Sequence, residues 1–457
     1  MRANTLRNPS CGCVFSLLAI LACRIGRGRR PPLTLTAALV LASVMGAITA
    51  RPGPTWAAEI DPATLAFNDA MDLAVAAQPL LDAQRSAVSG SRETAVAAGQ
   101  LPDPMLVGGL ADLPVTGADR FSLRRDSFTQ YMLGVKQVFP GGDKRELRGA
   151  RASAEAERLD TELQQQIRMV RRQTGLAWLN AWNAAQAQDL VRDSIVEAEA
   201  QSKVVEINYR AGRASQADLS AARVVVGLLE DLLASLKQQE SQARNQLRRW
   251  IGDDADRPIS TALPEWPEPD LASLLQHLEY HPQIAAQARA VEVANAELKL
   301  AREEYKPDWS LQAGYGYRPE FSDMVSVQFE TALPFFTRNR QDRTVQARAA
   351  EVRRAELLRE DVLREQRAAV HLGVTDWRRL RNRLEYLDRV IVPQAQQRFD
   401  AALVAYATGS GLLLDVLDAR RSLIDVRIQH LALEADSARN QVELQYFSDV
   451  APEETQL

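Results

Sequence analysis

The chain contains one long motif twice, and that fact limits its fold more than any other. Tyr209, Gly212, Asp218, Leu219, Ala222 and Arg223 are answered by Tyr406, Gly409, Asp415, Val416, Ala419 and Arg420, all at an offset of 197. Weaker echoes keep the same order. Gln78-Pro79 meets His281-Pro282, Pro102-Asp103 meets Pro307-Asp308, and Phe139-Pro140 meets Leu333-Pro334. A chain made of two like units is read as a repeat architecture before anything else. The halves are expected at 58–256 and 271–457, joined by a proline-rich linker at 257–270.

Each half has the same layout. A helix (about 64–99; 271–304) ends near a proline, and two short extended segments follow. Then come a very long helical stretch (about 143–208; 339–405), a glycine turn, and a further helix (about 215–251; 412–447). Residues 143–208 hold no proline, and their only glycines are Gly149 and Gly175. At 1.5 Å rise per residue such a helix reaches about 100 Å, more than a single globular core needs. Apolar Leu176, Leu179, Trp182 and Leu190 are diluted with Gln, Asn and Ala, which suits helices packed side by side in a coiled-coil-like wall. Pro393 predicts a break in the second long stretch. Helices alone would equally suit a soluble rod.

The extended segments oppose the rod. Trp309, Leu311, Ala313, Tyr315 and Tyr317 alternate with Ser310, Gln312, Gly314 and Gly316. Val325, Val327, Phe329, Thr331 and Leu333 alternate with Ser326, Gln328, Glu330 and Ala332, and Thr129–Lys136 follows suit. The segment around 104–110 is weaker. Hairpins are thus expected at about 103–139 and 308–334. Period two with a polar second face fits a half-buried soluble sheet, or a barrel wall with lipid outside and water inside. The clearest segments are about nine residues long, near what a tilted spanning strand needs. Four strands cannot close a barrel, and open edges are not tolerated in lipid, so several copies must join.

Charge and cysteine usage agree with an exported chain. Residues 1–57 carry seven Arg and no acid, leaving 48 basic and 59 acidic side chains beyond them, a net of −11. An acidic body argues against nucleic acid as partner. Basic Arg24–Arg30, the uncharged 18-residue run Leu33–Ala50 and the small residues near Ala57 read as a signal peptide over 1–57. All three cysteines, Cys11, Cys13 and Cys23, lie in that leader, so the body offers no disulfide, Cys metal site or Cys nucleophile.

With these residues in place, the sequence resembles the TolC-like outer-membrane efflux channels over almost all of 60–447. The resemblance rests on the duplication, the P-D-P or P-D-W run before each hairpin, the F-P-G-G or L-P-F-F run after it, and the two Y-x-x-G-x₅-D turns. It implies a mainly α fold with a small β part. Long antiparallel helices form a trimeric α-barrel tunnel, capped by a 12-stranded outer-membrane β-barrel with four strands per protomer. It also implies a homotrimer in the outer membrane of a Gram-negative bacterium, with a large periplasmic part. Such a channel would pass a drug or heavy-metal cation passively from an inner-membrane transporter and a periplasmic adaptor to the exterior. The outer-membrane duct of a type I protein secretion system is the alternative within the family. A periplasmic coiled-coil adaptor or structural protein is the alternative outside it.

The same resemblance places both glycine turns at the periplasmic tip. Tyr209, Gly212, Arg213, Thr408, Gly409 and Ser410 are the expected adaptor contacts. Asp415, Asp418, Tyr406 and Asp218 are the expected constriction, with Tyr406 and Asp218 as partners. At Gly411, where some members carry a basic latch residue, this chain has none. From the residues themselves, Gly212 and Gly409 suit positive-φ turns. Asp218 and Asp415 suit either a helix start or, for Asp415 with Asp418 three residues on, stacked carboxylate rings that select cations. His277 and His281 have i, i+4 spacing, but a solvated helix start explains them better than a metal does. His371 and His430 stand isolated. No nucleophile–base set, phosphate loop or methionine cluster is present, so neither catalysis nor a cofactor is expected.

Overall fold

The computed structural model describes residues 64–448. The leader, its cysteines and the last nine residues lie outside the described residues. The first helix, expected as one piece, is two: α1 (Phe67–Ala77) and α2 (Pro79–Ala98). Its counterpart likewise divides into α5 (Leu271–His277), a 3₁₀ turn, and α6 (Pro282–Glu303). Pro79 and Pro282 are the cause. Each starts a new helix at a position where no N–H is needed, and each forces the residue before it into an extended conformation (ψ 112° at Gln78, 133° at His281).

Between α2 and the next helix lie β1 (Met105–Ala111) and β2 (Gln130–Phe139). Between α6 and the corresponding helix lie β3 (Trp309–Tyr317) and β4 (Met324–Thr331). All four join one antiparallel sheet in the order β1-β2-β3-β4, so the two hairpins pair with each other through β2 and β3. The register sets Phe139 opposite Trp309 and Tyr131 opposite Tyr317.

The long helix α3 (Lys144–Arg210) has 67 residues without interruption, about 100 Å of helix at 1.5 Å per residue. It returns through α4 (Gln216–Ile251). In the second half the stretch is α7 (Gln341–Tyr386), a π-helical turn at Leu387–Ile391, and α8 (Val392–Ala407), followed by α9 (Leu413–Gln445). The π turn has a direct origin. Pro393 has no N–H to return to the carbonyl of Arg389, and the widened turn absorbs that loss.

The main core sits halfway along α3. Trp178 and Leu179 are fully buried there with Leu65, Ala74, Leu247 and Ala435. A Cβ at Gly175 would stand 3.1 Å from the Phe67 ring, so the glycine lets α1 approach α3 closely. The segment expected as a linker is bound down. Leu65 bridges to Ile259, Trp266 packs edge-on against Phe67 at 5.7 Å, and the Trp182 indole donates to the Thr261 carbonyl at 2.9 Å.

Candidate functional site

The sheet carries its polarity reversed relative to a soluble sheet. Along β3 the aromatic and aliphatic residues are exposed, while Ser310, Gly314 and Gly316 are buried. All of β4 is exposed, with Val325 at 76%, Val327 at 70% and Phe329 at 62%. Leu133 and Val135 on β2 and Leu106 on β1 extend the same apolar surface. The opposite face is polar. Lys136 pairs with Glu330 across it, and the Gln130 side chain lies over Gly316. An exposed apolar surface on this scale does not persist in water. Its two ends are marked by aromatics. Phe139, Trp309 and Phe329 stack in a row at the helix end (4.2 and 5.8 Å between centroids), and Tyr131 meets Tyr317 at the loop end (6.4 Å). Such paired rings are what membrane barrels place at the two interfaces.

The loops 112–129 and 318–323 are tied together. Arg318 donates to the Ser127 carbonyl at 2.7 Å and its backbone N–H reaches Asp323 at 3.1 Å. Tyr315 also bonds Asp323, which holds that carboxyl below its usual range; the Arg318 backbone N–H adds to the effect. At the other end, where strands become helices, buried Lys144 reaches Asp308 at 2.8 Å and Glu304 at 3.6 Å. The Gly141 N–H donates to the same Asp308 oxygen at 2.8 Å.

The two glycine turns have the same backbone. Gly212 and Gly409 have φ of 70° and 78°. Arg213 N–H returns to the Asn208 carbonyl at 2.7 Å, and Ser410 N–H to that of Ala405 at 2.9 Å. Tyr209, Gly212, Arg213, Thr408, Gly409 and Ser410 are all exposed on these turns.

The helix starts that follow differ. In α4, Ser215 is the N-cap and forms a capping box with Asp218: Asp218 N–H donates to Ser215 Oγ at 3.1 Å, and Ser215 N–H and Oγ–H donate to Asp218 Oδ2 at 2.8 and 2.7 Å. These bonds, side chain before backbone, hold the Asp218 carboxyl below its usual range. In α9 the N-cap is Leu412, which caps with no side chain. Asp415 and Asp418 are exposed and make no hydrogen bond or ion pair among the described residues, while Val416, Leu417 and Ala419 face inward. The capping role therefore belongs to Asp218 alone, while Asp415 sits in the first turn of α9 without a capping bond.

Tyr406 is half-buried and packs against the cluster of Leu219, Leu413 and Leu417 and against that of Phe399 and Val416. Within this protomer it does not hydrogen-bond Asp218, whose carboxylate is taken by Ser215.

Three features escaped the sequence pattern. Arg420, twin of exposed Arg223, is buried with its guanidinium 4.9 Å over Phe399 and 3.5 Å from Glu197; burial pulls its pKa down against that carboxylate. His281 is no solvated helix start. It is 2% exposed, its Nδ1 accepts from Gln283 N–H at 3.3 Å, and its Nε2 donates to the Tyr446 carbonyl at 2.9 Å. His430 is not isolated either, since its Nε2 lies 2.6 Å from Asp388 on the π turn. Among the described residues no group of three His, Cys, Asp or Glu side chains is placed to hold a metal ion.

The fold is the one seen in solved outer-membrane channels. Residues 274–447 match the family of outer membrane efflux proteins. Two curated relatives are the cobalt-zinc-cadmium resistance protein CzcC of Cupriavidus metallidurans and the pyoverdine export outer membrane protein OpmQ of Pseudomonas aeruginosa. The first is 27% identical over 232 residues, 49% of this chain and 54% of CzcC. The second is 25% identical over 326 residues, 65% of each chain. The chain thus spans between half and two-thirds of the length of these relatives. The outer membrane protein VceC of Vibrio cholerae superposes with a TM-score of 0.70 at 19% identity, covering 83% of this chain and 95% of that one.

Proposed function

We propose that three copies of this chain close into a twelve-stranded barrel continued by a helical tunnel, and that the assembly is the passive exit duct of a tripartite efflux system. The observation that carries this is the four-stranded sheet with an exposed apolar face, aromatic ends and two edges, β1 and β4, that are unpaired among the described residues. Such edges are not tolerated in lipid, and pairing β4 of one copy with β1 of the next removes them. The chain is then two like repeats, 58–256 and 271–457, each giving one hairpin and one helical pair to the ring.

Asp415 and Asp418, exposed and unengaged, would line the tunnel mouth as two carboxylate rings, with Tyr406 packed behind them. Rings of carboxylates favour cations. The turns at Tyr209–Arg213 and Thr408–Ser410 would meet a periplasmic adaptor, which couples the duct to an inner-membrane transporter. The relatives' names, metal resistance and pyoverdine export, support small solutes as cargo, and the free carboxylates favour heavy-metal cations among them. Native mass measurement in detergent combined with planar-bilayer recording tests this. A trimer with cation-selective conductance is expected; a stable monomer with intact sheet overturns it.

A further inference from the structure

The two hairpin exits come from one duplicated pattern yet have opposite fates. After β2 the chain reads Phe139-Pro140-Gly141-Gly142. It is pressed against its own fold, since a Cβ at Gly141 would stand 2.1 Å from the Pro307 carbonyl oxygen, and the first cation that follows, Lys144, is buried and paired. After β4 the chain reads Leu333-Pro334-Phe335-Phe336, with the two glycines replaced by phenylalanine. Among the described residues nothing covers them. Leu333 is 64% exposed, Phe335 76% and Phe336 81%. Leu333 and Phe335 are exposed like Val325, Val327 and Phe329, so exposed apolar side chains run on past the strand end, across a tight turn at Pro334 in which the Phe335 N–H donates to the Leu333 carbonyl at 2.9 Å. Arg338 follows on a 3₁₀ turn (Thr337–Asn339), and Arg340 comes directly after it. Both are exposed, and among the described residues neither side chain makes a hydrogen bond or ion pair.

We infer that Phe335, Phe336, Arg338 and Arg340 form an anchor for an anionic phospholipid at the helix end of the sheet. The inference rests on the sheet facing lipid, as proposed above. The apolar pair is continuous with the surface that meets acyl chains. The two free guanidinium groups stand just beyond it, at headgroup depth, where planar bidentate donors match a phosphate. Each cation near an anionic lipid surface contributes about 1 kcal/mol, so two together favour an anionic over a zwitterionic lipid by about 30-fold. The first hairpin's exit, closed by Lys144 and Asp308, offers no such place.

The test uses the full-length protein purified in detergent and incubated with phosphatidylglycerol or phosphatidylcholine, with bound lipids counted by native mass spectrometry. The wild-type trimer is expected to retain phosphatidylglycerol preferentially. Arg338→Gln with Arg340→Gln should lower that retention by about 10- to 30-fold without changing the trimer mass or phosphatidylcholine retention. Phe335→Ser with Phe336→Ser should lower both lipids. A photo-crosslinking residue at Phe336 should capture lipid. Unchanged phosphatidylglycerol retention in the arginine variant overturns the anchor while leaving the trimer standing, and so does a crosslink from position 336 to a second subunit. A monomer in place of the trimer removes the barrel, and the anchor with it.

Discussion

Lys144, 3% exposed, places its ammonium 2.8 Å from Asp308, 164 residues away in sequence. The pair joins the start of α3 to the start of β3, where helices turn into sheet. Breaking a fully buried pair costs about 3–5 kcal/mol, but Asp308 is 42% exposed, so Asp308→Asn should cost about 1–2 kcal/mol. Burial pushes the Asp308 carboxyl up, but Lys144 and the Gly141 N–H overcome this and hold it low. A carboxyl depressed in the folded state stabilises above its unfolded pKa of about 3.9 and loses that contribution as pH falls through the folded value. The gap in thermal stability between wild type and Asp308→Asn should therefore be full at neutral pH and close in strong acid. An equal gap at both would remove the pair as its source.

The tip makes a paired prediction. Ser215→Ala removes the N-cap of α4 and should lower stability by about 1 kcal/mol. Asp415→Ala with Asp418→Ala breaks no bond among the described residues, so stability should move by only a few tenths of a kcal/mol through the helix dipole. That double variant should instead weaken cation selectivity and block by multivalent cations in planar-bilayer recordings. Selectivity left intact in a well-assembled double variant takes both residues out of the constriction.

Gly141→Ala should be far more damaging than its neutral chemistry implies. The new methyl would meet backbone at 2.1 Å, which only movement of the helix–sheet junction relieves. Gly212→Ala meets no atom within 4 Å and bears only the strain of its positive φ, about 1–2 kcal/mol. Thermal stability should therefore fall sharply for the first and modestly for the second.

His281→Ala should cost about 2 kcal/mol, because it leaves the Tyr446 carbonyl unpaired and α6 uncapped at once. Asn can cap but cannot reach the carbonyl, so His281→Asn should recover part of the loss. Chemical denaturation of the three proteins checks the order.

What the sequence revealed follows from the range of each interaction. Alternation is local, so β3 was legible residue for residue at Trp309–Tyr317, and the absence of proline gave α3 nearly to its ends. The glycine turns were legible because positive φ constrains one residue type. The weak β1 was half hidden, since Gly108 and Gly109 dilute its pattern. Lys144 with Asp308, His281 with Tyr446 and Asp388 with His430 were not legible, because each joins segments that only the folded chain brings together. The split roles of Asp218 and Asp415 came down to one substitution, Ser215 against Leu412 at matched positions; the cap chemistry was visible there but outweighed by the stronger match of the aspartates.

The π turn at Leu387–Ile391 gives the two long stretches different mechanics. A hydrogen-bond ladder unbroken from Lys144 to Arg210 spreads any bending over its full length and behaves as a stiff stave. The ladder of the second half is cut at one place, so its flexing concentrates there, in a joint whose Asp388 lies against His430 of α9. Three chains arranged in a ring would alternate stiff and jointed staves around the wall, and the wall would yield at three places rather than six.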